Sequence, residues 1–198
     1  MTNNNNKVSH SDGQNREELG KILERINFWI SNCDTKISFA LAFAGVLLAG
    51  FFSSSIITGS LNTLIEKTAK INIASFWEVV VLIVCTLVLI VFIICTVVAV
   101  TYLFKALKGA IDTSVYKESG LTSDSLIFFG TIANQTFQAF KDKTNTSDDN
   151  KMKNDLLSQI YINSKNCDNK FKLYNIGVNL LIISVILFVL LNILFLFI

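Results

Sequence analysis

Hydrophobic positions in this 198-residue chain collect into three long uncharged runs, and the polar positions collect between and before them. The runs cover residues 37–59, 76–104 with a lone Glu78 near its start, and 178–198. Each exceeds the roughly 20 residues a helix needs to cross a hydrocarbon core about 30 Å thick, so three transmembrane helices are predicted. The second, at 29 residues, makes a helix of about 44 Å and must tilt or project beyond the bilayer.

The first run has no loop in front of it. Residues 25–52 read RINFWISNCDTKISFALAFAGVLLAGFF, and the change from charged to apolar falls at Asp34, Thr35 and Lys36. The chain has no proline, and the first glycine after that point is Gly45. One helix, half wet and half in lipid, is predicted.

Upstream, Leu19, Ile22, Leu23, Ile26, Ile30 and Cys33 share one helical stripe behind a capping-box-like Asn15 and Glu18. This amphipathic helix, residues 15–36, is expected to pack on other cytoplasmic helices. A flat position on the membrane, suited to Phe28 and Trp29, is the alternative. Residues 1–14, with Asn3 to Asn6 and the single His10, lack periodicity and predict a disordered tail.

Ser38, Ala42, Gly45, Ala49 and Ser53 recur every three or four residues in the first span. Such a small-residue face is expected against another span, of this chain or a neighbouring one. An outer loop is expected at 60–75, with Ser75 and Glu78 capping the second span. Residues 105–177 predict a cytoplasmic helical region in which Gly109 and Asp112 end the projecting helix. Within it, 126–140 reads as one packed helix and 141–151 as a hydrophilic hinge. A last helix begins near Asp155, with Leu156, Ile160, Asn163, Cys167, Phe171 and Tyr174 on one stripe, and enters the third span after Lys172. The fold class predicted is all-α: a three-span membrane protein whose first and last spans continue into cytoplasmic amphipathic helices that form a small layer.

Composition agrees: 52% of residues are hydrophobic, 16% are charged and the mean hydropathy is +0.52. A soluble core is disfavoured because the polar remainder is too small to wrap three such helices. A secretory signal is disfavoured because residues 1–36 are polar. Charge fixes an orientation. Lys21, Arg25, Lys36, Lys105, Lys108, Lys117, Lys165, Lys170 and Lys172 flank one side of the spans, against Lys67 and Lys70 on the other. The N-terminus and the long middle segment are therefore expected in the cytoplasm, with residues 60–75 and Ile198 outside.

Candidate chemistry is sparse. The sequence lacks a P-loop, a G-x-S-x-G and an H-E-x-x-H, and the four cysteines form no C-x-x-C. No enzyme, metal site, resident cofactor, disulfide framework or nucleic-acid partner is expected. No ionisable residue lies deep in a span, which argues against a selective ion pathway. Thr86, Thr96, Asn179, Ser184 and Asn192 are the polar groups there, and Asn192 is read as an interhelical hydrogen bond or as lining a wet seam. The better candidates lie in the wet halves: Arg25, Asn27, Asp34 and Lys36 on one helix, and Asn163, Ser164, Lys165, Lys170 and Lys172 on the other. One reading pairs Asp34 with Lys170 or Lys172 and leaves other lysines to anionic headgroups. The sharper reading is a pocket for a small anion, where a basic residue meets phosphate while Asn and Ser read a base or sugar.

RINFWISNCDTKISFALAFAGVLL at 25–48, FFGTIA at 128–133 and DLLSQIYINSKNCDNKFKLYNIG at 155–177 resemble the Pycsar transmembrane effectors (PycTM), bacterial antiphage proteins. The resemblance spreads over most of the chain from Arg16 onward. It implies a partner pyrimidine cyclase that makes cyclic CMP or cyclic UMP on infection, and an effector that senses the nucleotide and damages the inner membrane so the host dies first. A homo-oligomer in the bilayer is expected. A non-signalling membrane scaffold and a holin-like pore-forming toxin are the alternatives.

Overall fold

The computed structural model describes residues 3–53, 55–69, 76–108 and 118–195. Its elements are α1 (Asn3–Ser53), α2 (Ser55–Ala69), α3 (Phe76–Lys108), α4 (Phe129–Ala133), α5 (Phe137–Thr146) and α6 (Asp149–Phe195). No strand occurs among the described residues. Three helices, within Asn15–Ser53, Val79–Lys108 and Asp149–Phe195, are long and apolar enough to cross a membrane. The predicted all-α, three-helix architecture is observed. At 51 and 47 residues, α1 and α6 would each be about 70 Å or more long, over twice a hydrocarbon core, so a large part of each lies outside it.

The chain divides into two compact units. Unit 1 takes Met1–Cys33 and Gly109–Lys170; unit 2 takes Asp34–Lys108 and Phe171–Ile198. Both divisions fall inside unbroken helices, α1 and α6.

Unit 2 holds the apolar runs. On α1 its buried positions are Ile37, Ala44, Leu47 and Phe51; on α3 they include Leu82, Cys85, Phe92, Thr96, Ala99, Leu103 and Ala106. Their three- and four-residue steps keep one face of each helix toward its neighbours. Phe51, Phe92 and Phe188 join α1, α3 and α6, with centroids 5.1, 6.1 and 6.5 Å apart. At Gly177 α6 comes close to α3: a Cβ there would sit 2.8 Å from Leu103 Cγ and 3.2 Å from the Ala99 carbonyl oxygen. Close backbone approach supplies the packing that replaces hydrophobic drive in lipid.

Unit 1 packs the first half of α1 against α6, and α6 in turn holds the 118–128 segment. Arg16 bridges Asp149 at 2.7 Å, and Asn163 donates to Asn27 Oδ1 at 3.0 Å. Leu19, Leu23, Ile26 and Ile30 are half-buried and Cys33 is fully buried. Ile22, predicted on this stripe, is exposed, as are Phe28 and Trp29.

Several boundaries differ from the sequence reading. α1 is helical from Asn3, so residues 3–14 of the expected disordered tail are helical and the helix does not start at Asn15. With no proline and an established helix downstream, each added turn needs no new nucleus. α2 occupies most of the expected outer loop. Its Ile57, Leu61, Leu64 and Ile65 recur at helical spacing, and Ile57 is buried. The helix expected over 126–140 is two, because Asn134 ends α4 and Thr136 caps α5, its Oγ1 accepting from the Ala139 N–H. α5 then runs through most of the expected hinge, and α6 starts six residues before Asp155, where Asp148 Oδ1 accepts from the Lys151 N–H at 2.7 Å. The capping role of Ser75 and Glu78, and Gly109 and Asp112, lie outside the described residues or side chains.

Inside the spans, the small-residue face of α1 is left open on this chain, and the expectation for Asn192 changes. Ser38, Ala42, Gly45, Ala49 and Ser53 are all exposed, one helical step away from the packed positions. Asn192 donates to the Phe188 carbonyl at 2.8 Å within its own helix rather than across to another. Thr86, Thr96 and Ser184 do the same with Leu82, Phe92 and Leu180. In lipid, the nearest carbonyl one turn back is the cheapest partner for a short polar side chain.

Candidate functional site

Residues 118–128 form the longest described segment outside a helix, and hydrogen bonds to α6 hold it along its length. Tyr161 donates its hydroxyl to Glu118 at 2.9 Å, Ser158 Oγ accepts from the Thr122 N–H at 3.0 Å, and Asp155 Oδ2 accepts from the Leu126 N–H at 2.7 Å. Gly120, at φ +92, turns the chain where a side chain would be strained. Ser125 Oγ accepts from the N–H groups of Ile127 and Phe128 at 3.2 and 2.9 Å, closing the turn into α4. Lys143 from α5 holds Asp124 at 2.8 Å, and that hydrogen bond keeps the Asp124 carboxyl below its ordinary value.

The anchors are unusual in being polar and buried. Asp155 is 2% exposed, Ser125 2%, Ser158 3% and Gln159 7%. Asp155 Oδ1 has no hydrogen-bond partner. The predicted stripe of Leu156, Ile160, Asn163, Cys167, Phe171 and Tyr174 is only half-buried, and the buried face of α6 lies one step round from it. Buried polar groups cost free energy unless satisfied, so their concentration here marks a specified arrangement.

Between the segment and α6 lies a half-enclosed cavity of about 250 Å³, lined by Leu121, Thr122, Ser123, Ser125, Phe128, Thr131, Gln159, Ile162 and Asn163. Phe128 packs against Phe129 with centroids 4.8 Å apart and the rings tilted by 51°. Gly130 leaves room for its ring, since a Cβ there would meet Phe128 Cε1 at 2.7 Å. Gln159 Nε2 reaches Ser125 Oγ at 3.4 Å, a long bond that a better acceptor would displace.

The sequence-predicted residues fall into both units. Arg25, Asn27, Asn163, Ser164 and Lys170 belong to unit 1, and Asp34, Lys36 and Lys172 to unit 2. Asn27 and Asn163 are brought together, and Asn163 lines the cavity. Arg25 is exposed, Ser164 donates to the Ile160 carbonyl of its own helix, and Lys170 is buried. Lys165 lies 5.3 Å over the Tyr161 ring. Lys36 lies 5.8 Å over the Phe171 ring, at cation–π distance. It also borders a larger, more open groove of about 360 Å³ in unit 2, otherwise lined by Phe39, Ala40, Phe43, Tyr174 and aliphatic residues of α6. Such an apolar groove suits a lipid chain better than a polar ligand.

Sequence reasoning missed Ser125, Phe128, Thr131 and Gln159 as site residues. The signal was Asp155 with Ser158 and Gln159 three and four residues on, polar side chains that share one face of a helix. Cys33, Cys85, Cys95 and Cys167 are free, and burial pushes the Cys167 thiol up. Among the described residues no three His, Cys, Asp or Glu side chains gather as metal ligands.

These features define a multi-pass helical membrane protein with a compact unit, built on two of its spanning helices, that carries a small cavity of mixed polar and apolar lining. The Pycsar effector protein domain, PycTM, matches residues 18–197. The Pycsar effector protein GmPycTM of Gulbenkiania mobilis is 53% identical over 193 residues, covering 97% of each chain. No solved structure matches. The chain belongs to the Pycsar effector family, and its role is that of an antiphage defence effector.

Proposed function

We propose that this effector senses cyclic CMP or cyclic UMP made by a partner pyrimidine cyclase on infection and responds by impairing the bacterial inner membrane, so that the cell dies before phage matures. The observation that carries the reading is that α1 and α6 each belong to both compact units. A ligand held in unit 1 therefore acts on helices that are themselves the membrane spans. It shifts the protein only by its differential affinity for two states, and a change from 1:99 to 99:1 needs about 5.5 kcal/mol. Several copies sharing the load reduce what each site must supply. The outward small-residue face of α1 gives a second copy a surface for close helix contact, in keeping with a homo-oligomer. The lysine distribution favours unit 1 in the cytoplasm and the C-terminus outside. The role is non-catalytic and uses no resident cofactor.

The full-length protein in liposomes or spheroplasts, followed by a potential-sensitive dye with cyclic CMP, cyclic UMP and cyclic AMP, tests this. Depolarisation with a pyrimidine nucleotide and not with cyclic AMP is expected. Leak without any nucleotide would instead identify a holin-like pore former, and no leak under any condition a scaffold.

A further inference from the structure

We infer that the cavity between residues 121–131 and α6 is the site that takes the pyrimidine ring of the activating cyclic mononucleotide, with Phe128 as its stacking surface and Gln159 and Asn163 reading its edge; this rests on the proposed sensing role.

Size is the first argument. Ligand pockets start at about 300 Å³ for drug-sized molecules, so a cavity of about 250 Å³ admits one small ring with part of its sugar and not a dinucleotide. Chemistry is the second. No charged side chain lines the cavity, which offers one aromatic ring, two carboxamides and the hydroxyls of Thr122, Ser123, Ser125 and Thr131. A flat heterocycle carrying donors and acceptors on one edge matches that set: base-to-aromatic stacking is sequence-tolerant and worth about 1–3 kcal/mol. A carboxamide presents a donor and an acceptor in one plane. Because it can turn over, Gln159 complements the edge of either cytosine or uracil, and the phosphate faces the open side.

Preorganisation is the third. Gln159 and Ser125 are each more than nine-tenths buried and joined by a long 3.4 Å bond. The segment carrying Phe128 is held on α6 through Asp155 and Ser158. A ligand here would bridge two parts of unit 1 and bear directly on α6. This differs from an anion pocket built on Lys36, which borders an apolar groove in unit 2.

The test uses the full chain in nanodiscs. Binding of cyclic CMP, cyclic UMP and cyclic AMP is measured by calorimetry for the native protein, Gln159→Leu, Phe128→Ala and Lys36→Ala. The first two variants are expected to lose at least about tenfold in pyrimidine-nucleotide affinity, equivalent to about 1.4 kcal/mol, with Lys36→Ala unchanged. A photoreactive azido derivative of the bound nucleotide, cross-linked to the native chain and mapped by mass spectrometry, gives a readout that no folding defect can mimic. Adducts on residues 121–131 or 159–163 are expected. Native binding with adducts confined to residues 36–43 or 172–185 overturns the site while leaving the sensing role intact. No binding of any cyclic nucleotide by the native protein overturns both.

Discussion

Asp155 is the residue on which the unit 1 segment most depends. Its Oδ2 accepts the Leu126 N–H at 2.7 Å in a 2%-exposed position, and leaving a buried N–H without its partner costs about 1–3 kcal/mol. Asp155→Ala should therefore lower stability by about 2 kcal/mol, and hydrogen exchange should show faster exchange at Leu126 than at the Ala139 amide, which Thr136 holds independently. Equal exchange at both would mean the carboxylate is not the clamp. Asp124 acts more weakly and only at acid pH. Its carboxyl is held low by the hydrogen bond from Lys143, so the bridge stabilises above the unfolded aspartate value and is lost as pH falls through the lowered one. In acid titration, the native chain should loosen around residues 123–126 as pH falls through the lowered Asp124 value, and Asp124→Asn should remove that step. The charged residues near the membrane junctions were legible as candidates because charge stands out beside apolar runs. Gln159 and Ser125 were not, because their burial depends on a segment folded back from more than 30 residues away.

At the scale of elements, the long runs were readable because a bilayer imposes a length and a polarity that sequence records directly. α3 follows its apolar run and continues to Lys108, and α6 enters its span without a break. Short elements were harder. α4 and α5 share one apolar run, which the Asn134 end of α4 and the Thr136 cap divide; α2 occupies most of the connection expected between the first two spans. Packing between spans was invisible for a different reason: the small-residue face of α1 was the stronger pattern, yet α6 uses a single glycine for its approach to α3. Gly177→Ala puts a methyl 2.8 Å from Leu103 Cγ and 3.2 Å from a backbone oxygen that cannot rotate away. Overpacking of this kind costs about 1–3 kcal/mol. Thermal unfolding in detergent should show that loss, whereas Gly45→Ala, which meets nothing within 4 Å, should leave the single chain's stability unchanged. If copies associate through that outward face, Gly45→Leu should reduce cross-linked oligomers in membranes without affecting monomer stability.

For the whole molecule the decisive fact is where the two compact units divide. The boundary cuts α1 between Cys33 and Asp34 and α6 between Lys170 and Phe171, with no change of secondary structure at either point. A continuous helix carries rotation or translation across such a boundary, while a flexible joint dissipates it. Replacing Asp34 and Thr35 together by glycine weakens helix continuity at the α1 crossing by about 1 kcal/mol per residue; replacing Phe171 and Lys172 does so at the α6 crossing. If the helices transmit the signal, cyclic nucleotide affinity in nanodiscs should stay within about threefold of native, under 1 kcal/mol, because the cavity lies wholly in unit 1. Depolarisation of liposomes by the same nucleotide should fall sharply for at least one pair. Native depolarisation in both double-glycine proteins would exclude these helices as transmitters, and loss of binding would place the ligand at the junction instead of in the cavity.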